Sequence, residues 1–230
     1  MDFTSRMTTL LGAFRRERNG AVADSMRFYG RPYGLNYGVS LPTLRRLARA
    51  GATDHNFARY LYLQDVRELR LAAFHIADPA RLTPDEFSFW GDGMLNSEMA
   101  EEGAFALWSR AASLPALFDA WLAPAAGWLR AYAALMAAAR AAEPAETWIP
   151  QIIGTVRRMA AEQLPESRLV ARGAVAALVA IGSRSESLRQ EVLRAVGSLG
   201  ALPAETLVRE ELEWQLPPAD DAPLSADGAR

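Results

Sequence analysis

Three carboxylates crowd one turn of this 230-residue chain, Glu98, Glu101 and Glu102, directly after Asn96–Ser97. They form the one acidic cluster whose spacing resembles a ligand set. No cysteine exists to join them, and the two histidines, His55 and His75, stand far apart. A metal site is therefore not expected. Acids that follow an Asn-Ser helix start complement the partial positive charge of the helix N-terminus, which accounts for all three without a ligand. His75 falls beside Leu71, Ala72 and Ile76 at helical spacing and reads as a satisfied, partly buried histidine.

Guanidinium is the second chemical signal. Four segments, beginning at Arg70, Glu102, Arg130 and Arg172, share a charged residue followed by small and apolar residues at helical spacing; their leading residues lie 32, 28 and 42 positions apart. That interval is centred on the length of a two-helix repeat, with each segment as the second helix of its pair. Stacked pairs form a curved array in which equivalent helices line one concave face, so these four residues are expected in a row across it. A row of arginines suits phosphate. A ladder of arginine–carboxylate bridges between repeats is the other reading.

Tyr29 to Val39 offers a different chemistry, with three Gly, three Tyr and one Arg in eleven residues. Glycine lets a backbone approach a partner closely, while rings and guanidinium provide stacking and phosphate contacts. A loop that only wraps the end of the array is the alternative. The six tryptophans have no shared spacing and are expected in packing. No dinucleotide or Walker loop, nucleophile elbow or His-Glu-x-x-His is present, so no cofactor is expected.

The elements that must position these residues are helices. Apolar residues recur with helical period in thirteen segments from Thr4–Arg18 to Pro203–Leu216, among them Ser97–Ala112, Ala125–Ala142 and Pro144–Glu162, and alternating strand patterns are nearly absent. Most of the links between them are two to six residues long. With 50% hydrophobic and 23% charged residues, the chain has ample core. The expectation is an all-α, right-handed solenoid of helical repeats over 1–216, then a disordered acidic tail over 217–230. All 25 basic residues are arginine, against 27 acids. Residues 1–81 carry +6 and residues 82–230 carry −8; the excess guanidinium of the first part suits phosphate, and a solvated surface of uneven charge is the other reading. The longest weakly polar run, Ala131 to Ala142, is broken by Arg140 and falls short of the ~20 residues a membrane span needs. A soluble, cytoplasmic protein with no membrane partner is expected.

One stretch carries a family resemblance. Tyr37-Gly-Val-Ser-Leu-Pro-Thr-Leu-Arg-Arg-Leu-Ala-Arg49, followed by Val66-Arg-Glu-Leu-Arg-Leu-Ala-Ala73, resembles the AlkD-like DNA alkylation repair family, and the likeness extends through the repeats to about residue 200. The resemblance implies HEAT-like repeats that hold duplex DNA in a basic concave groove, with excision of cationic N3- or N7-alkylated purines by the active members. It makes Tyr37, Arg45, Arg46, Arg70, Arg130 and Arg172 candidate DNA contacts. The active members' Trp and, four residues on, Asp fall by register on Glu98 and Glu102. Glu102 thereby becomes the candidate catalytic carboxylate, with Glu98 and Trp128 at positions beside the substrate; Trp128-Leu129-Arg130 matches the family's Trp-Leu-Arg. A second family aromatic falls near Ala176.

Excision of a cationic base needs little acid catalysis; it needs a carboxylate near the sugar as oxocarbenium charge develops, and rings that hold the sugar there. Here Glu98 and Ala176 replace both rings, and the extra methylene of Glu102 displaces its charge. The resemblance therefore implies a divergent member, expected to bind duplex or structured DNA, with excision activity left open. The alternative is a non-enzymatic scaffold that uses the same concave face for a protein partner.

Overall fold

The computed structural model describes residues 2–30 and 33–217. Arg31 and Pro32 of the Gly/Tyr loop, and the expected tail from 218 on, lie outside the described residues. The chain divides into two compact units, one ending at Ala142 and one beginning at Glu143.

The first unit holds α1 (Phe3–Arg16), α2 (Gly20–Phe28), α3 (Leu41–Ala48), α4 (His55–Tyr62), α5 (Arg67–Ile76), α6 (Phe87–Asp92), α7 (Ser97–Ala106), α8 (Leu114–Leu122) and α9 (Trp128–Ala138). The second holds α10 (Ile149–Glu162), α11 (Ser167–Gly182), α12 (Glu186–Val196) and α13 (Pro203–Gln215). The all-helical expectation is met; among the described residues the only β pairing is one parallel bridge between Leu35 and Val66.

Polar residues at the expected starts close the helix N-termini. The side chains of Asp2, Asn19, Ser40, Asp54, Asn96 and Ser185 each accept a hydrogen bond from the backbone N–H three residues on. Such caps are worth about 1 kcal/mol each. Where the periodicity overran, a specific residue interrupts it. α7 ends at Ala106 instead of continuing to Ala112, because the indole of Trp108 turns back onto Gly103; a Cβ there would lie 2.5 Å from the ring. α9 starts at Trp128 instead of Ala125, because Gly127 takes φ 80° after a 3-10 turn at Pro124–Ala126.

In the first unit α4 packs on α5 and α8 on α9, while α5, α7 and α9 stack in succession. Small residues allow that stacking: Ala100 and Ala104 of α7 and Ala131, Ala134 and Ala138 of α9 are buried. Beneath them runs a line of rings, Tyr62, Phe74, Trp108 and Trp121, with Trp90 against the first two and neighbouring centroids 4.7–5.8 Å apart. Trp90, Trp108, Trp121 and Trp148 are packing residues as expected, whereas Trp214 is 80% exposed. Among the described residues no helix is long and apolar enough to cross a membrane.

The Gly/Tyr loop is held from both sides. The Asn19 N–H donates to the Tyr37 carbonyl at 2.8 Å, and Leu35 exchanges backbone bonds with Asp65 and Arg67. Gly38 sits at φ 69°, where a Cβ would lie 2.1 Å from the Asn19 carbonyl oxygen. Gly38→Ala combines that clash with left-handed strain and should cost about 2 kcal/mol or more. Gly30→Ala, also at positive φ but in open space, should cost about 1 kcal/mol. Urea melts of the two variants test the difference; equal losses would show that the close approach to Asn19 is not maintained in solution.

Candidate functional site

The acidic turn of α7 supplies the centre of the site, and each carboxylate reaches a different element. Glu102 is 2% exposed. Arg45 of α3 grips it with two parallel bonds, Nε to Oε1 at 2.8 Å and Nη2 to Oε2 at 2.7 Å. His75 of α5 places Nε2 2.5 Å from Oε1. The Arg49 Nε–H donates to His75 Nδ1 at 3.2 Å, so Nδ1 carries no proton and the Nε2–H donates to Glu102. Phe105 covers the group, with the Arg45 guanidinium 4.2 Å and that of Arg49 5.6 Å from its ring centroid. Burial opposes the Glu102 charge, but the bonds from Arg45 and His75 outweigh it and lower the carboxyl from 4.5 to about 2.

Glu98 and Glu101 are also engaged. Arg67 of α5, 1% exposed, donates to both Glu98 oxygens at 2.9 and 2.6 Å, and through Nη1 to the Val39 carbonyl and to Glu68, each at 3.0 Å. Burial works against the Arg67 charge, yet the bonds and charges of Glu98 and Glu68 prevail and raise its pKa. Glu68 in turn accepts the backbone N–H groups of Tyr37 and Val39. The Tyr33 hydroxyl donates to Glu98 at 2.7 Å; burial, then the Glu98 charge, push this phenol up and keep it a donor. Glu101 accepts from the Tyr132 hydroxyl of α9 at 2.7 Å. These acids therefore do more than complement a helix dipole: they tie α7 to α3, α5, α9 and the loop.

The expected row does not form within the first unit. Arg67 meets Glu98 and Glu101 meets Tyr132 across intervals of 31 residues. The assumed steps of 32 and 28 therefore slip by one and three residues, each about 100° around a helix. Arg70 and Arg130 instead converge on the end of α6. Arg70 donates to the carbonyls of Gln64 and Gly93, and Arg130 lies against Gly91 and pairs with Asp92. Guanidiniums there complement the negative end of that helix. Of the three aligned residues in this unit, Glu102 and Arg130 make ion pairs, while Arg70 meets carbonyls, so the bridge ladder describes two of the three. Glu102 pairs with Arg45 rather than with Arg130. Trp128 opens α9 half-exposed, and Arg172 is an exposed residue of α11 in the second unit.

A different set of arginines faces water. α1 packs on α3. Arg46 is 64% exposed, with one weak contact to Glu17 at 3.5 Å. Arg49 is exposed beside it, and Arg15 reaches the Tyr37 hydroxyl at 3.0 Å. Arg45 keeps 32% of its side chain exposed while gripping Glu102. Tyr37, Arg45 and Arg46 thus share one neighbourhood with Arg15 and Arg49, while Arg70 and Arg130 gather elsewhere. Sequence reasoning missed Arg67 and Glu68, since nothing in an Arg-Glu dipeptide signals burial. It also missed Arg49, although the three-residue step from Arg46 offered a signal.

A family model described as DNA alkylation repair enzyme matches residues 10–210. The chain belongs to that family. No curated protein matches the sequence significantly. A solved structure from "a new family of proteins related to the HEAT-like repeat DNA glycosylases with affinity for branched DNA structures" is similar over 94% of this chain and 96% of its own, with TM-score 0.70 and 16% identity. The helices of this DNA alkylation repair family member therefore have the HEAT-like repeat fold, as the sequence implied.

Glu102 makes acid stability of this family member predictable. The folded protein holds it at about 2 against an ordinary 4.5. As pH falls, the unfolded chain takes up the proton first, so stabilisation present at neutral pH fades between about pH 5 and 2. Glu102→Gln should lose about 2–3 kcal/mol at pH 7, the low end for a broken buried pair because Arg45 is part-exposed. It should also flatten the acid limb. Urea melts at pH 7 and pH 3 measure both; an unchanged acid limb would refute the pairing.

Proposed function

We propose that this chain binds duplex or branched DNA and does not use Glu102 to excise bases. The observation that carries the second half is the occupancy of the carboxylate: both oxygens are taken by Arg45 and His75, and 2% of the residue meets solvent. A group that offsets oxocarbenium charge must sit in front of the sugar as that charge develops. Glu102 points its charge into a clamp, and Glu98, in the position of a ring, points into another. Neither supplies a wall for a deoxyribose.

Support for DNA binding comes from the family, from the HEAT-like fold, and from the arginines that α1 and α3 leave in water. Arg15, Arg46 and Arg49, with part of Arg45 and the Tyr37 ring, offer about three phosphate contacts on one surface. The structural relative described by its affinity for branched DNA makes a branched duplex the first probe to try. Glu102, in this reading, serves DNA only by fixing the direction of Arg45.

With about three phosphates neutralised, log K should fall against log salt with a slope of about −3. Arg46→Glu with Arg49→Glu should weaken binding at least tenfold, across sequences alike, as measured by anisotropy with branched and linear duplexes. Single-turnover assays on methylated DNA should show no release of 7-methylguanine or 3-methyladenine. Release that is lost in Glu102→Gln while the fold is kept would reinstate that carboxylate as catalytic. Failure to bind any duplex or branched DNA at low salt would favour the protein scaffold.

A further inference from the structure

The second unit has a groove of about 700 Å³ that none of these contacts uses. It runs between α11 and α13 and is lined by Arg168 and Arg172 on one side, and by Leu207, Glu210, Glu211 and Trp214 on the other. Arg168 and Arg172 are one helical turn apart and therefore point the same way. Both are exposed, and among the described residues neither makes an ion pair, although two glutamates line the same groove. Trp214 is 80% exposed, whereas four of the other five tryptophans are buried. An indole left in water loses the transfer free energy that its burial would supply, so packing does not explain its place.

We propose that this groove binds unpaired nucleotides, with a base stacked on Trp214 and the flanking phosphates held by Arg168 and Arg172. The proposal rests on the DNA-binding reading and adds to it the single-stranded part of a branched substrate. Exposed rings beside guanidiniums are how proteins hold single strands, because every base has a face to stack and every linkage carries a charge. Duplex stacking hides those faces, so the groove selects strand ends, gaps and branch points. The carboxylates sharpen the recognition. Glu210 and Glu211 cannot face phosphate, but they can accept from an amino group on a base edge, as carboxylates do from cytosine N4. Bases with an exocyclic amine are therefore favoured over thymine.

The test follows Trp214 itself, since its side chain is the most exposed indole of the described residues. The full chain is titrated with oligo-dC and oligo-dT of about six nucleotides, a length within a single-strand site. Oligo-dC should quench the fluorescence and protect it from iodide, with oligo-dT weaker. Trp214→Ala should abolish the quench and weaken binding of labelled oligo-dC about tenfold. Arg168→Glu with Arg172→Glu should do the same and reduce the salt slope by about one to two. All three side chains are exposed, so the fold should survive, as circular dichroism would confirm.

Unchanged oligo-dC affinity in Trp214→Ala would overturn the proposal. So would full iodide protection by inorganic phosphate alone, which would mark an anion site. Protection that vanishes on truncation after Pro217, with no response to oligonucleotide, would assign the groove to the chain's own acidic terminal segment instead. If branched DNA binds through Arg46 and Arg49 while the groove variants change nothing, only this proposal falls. Should oligo-dC bind through Trp214 while no duplex or branched DNA binds, the groove stands and the duplex-binding reading falls.

Discussion

Arg67 is taken almost wholly out of water, and a guanidinium in that position must have its charge answered where it lies. Glu98 and Glu68 answer it, the Val39 carbonyl accepts a further hydrogen bond from it, and Glu68 in turn fixes two backbone N–H groups of the loop before α3. This one buried charge thereby couples four parts of the first unit: the loop, α3 that follows it, α5 that carries the arginine and α7 that carries its partner. Replacing Arg67 alone would strand two carboxylates in the interior. The arrangement fixes the register of α5 against α7, because no sliding of the helices would leave the charges matched.

The same logic runs along α7. Glu98, Glu101 and Glu102 leave one helix turn in three directions and are met by Arg67, Tyr132 and Arg45. The contacts satisfy the buried Glu102 and the half-buried Glu98 and hold the exposed Glu101, and together they consume the acidic chemistry that the sequence places there. A carboxylate cannot both be held at low pKa by two strong donors facing away from solvent and stand free before a sugar. Structural and catalytic use compete for the same oxygens. Here the structural use has both of those on Glu102.

Arginine is sorted by the same constraint into three kinds. Arg67 is enclosed and serves the fold. Arg70 and Arg130 lie against the end of α6, where carbonyls and Asp92 hold them. Arg15, Arg46, Arg49, Arg168 and Arg172 reach water with weak partners or with none among the ion pairs, so their charge is available to a polyanion. A count of 25 arginines cannot separate these kinds, because the residue type is one and its surroundings differ.

Helical period, helix starts and small-residue faces are written in neighbouring residues, and these the sequence determined by itself: α8 runs from Leu114 to Leu122 as the pattern predicts, and the Asn96, Ser40 and Asp54 starts are where the polar residues stand. The family was legible in the same way, from the block Tyr37 to Arg49. Helix ends set by distant packing were not: Gly103 stops nothing until Trp108 folds onto it. Nor were the partners of charged side chains. A spacing of 32 and one of 31 look equivalent on paper, yet one residue turns a side chain by about 100°, enough to exchange a groove for a core. That Glu102 faces Arg45 and His75 depends on residues 57 and 27 positions away. Only the packing of α3, α5 and α7 brings them together, so only the tertiary structure decided that this carboxylate is a clamp.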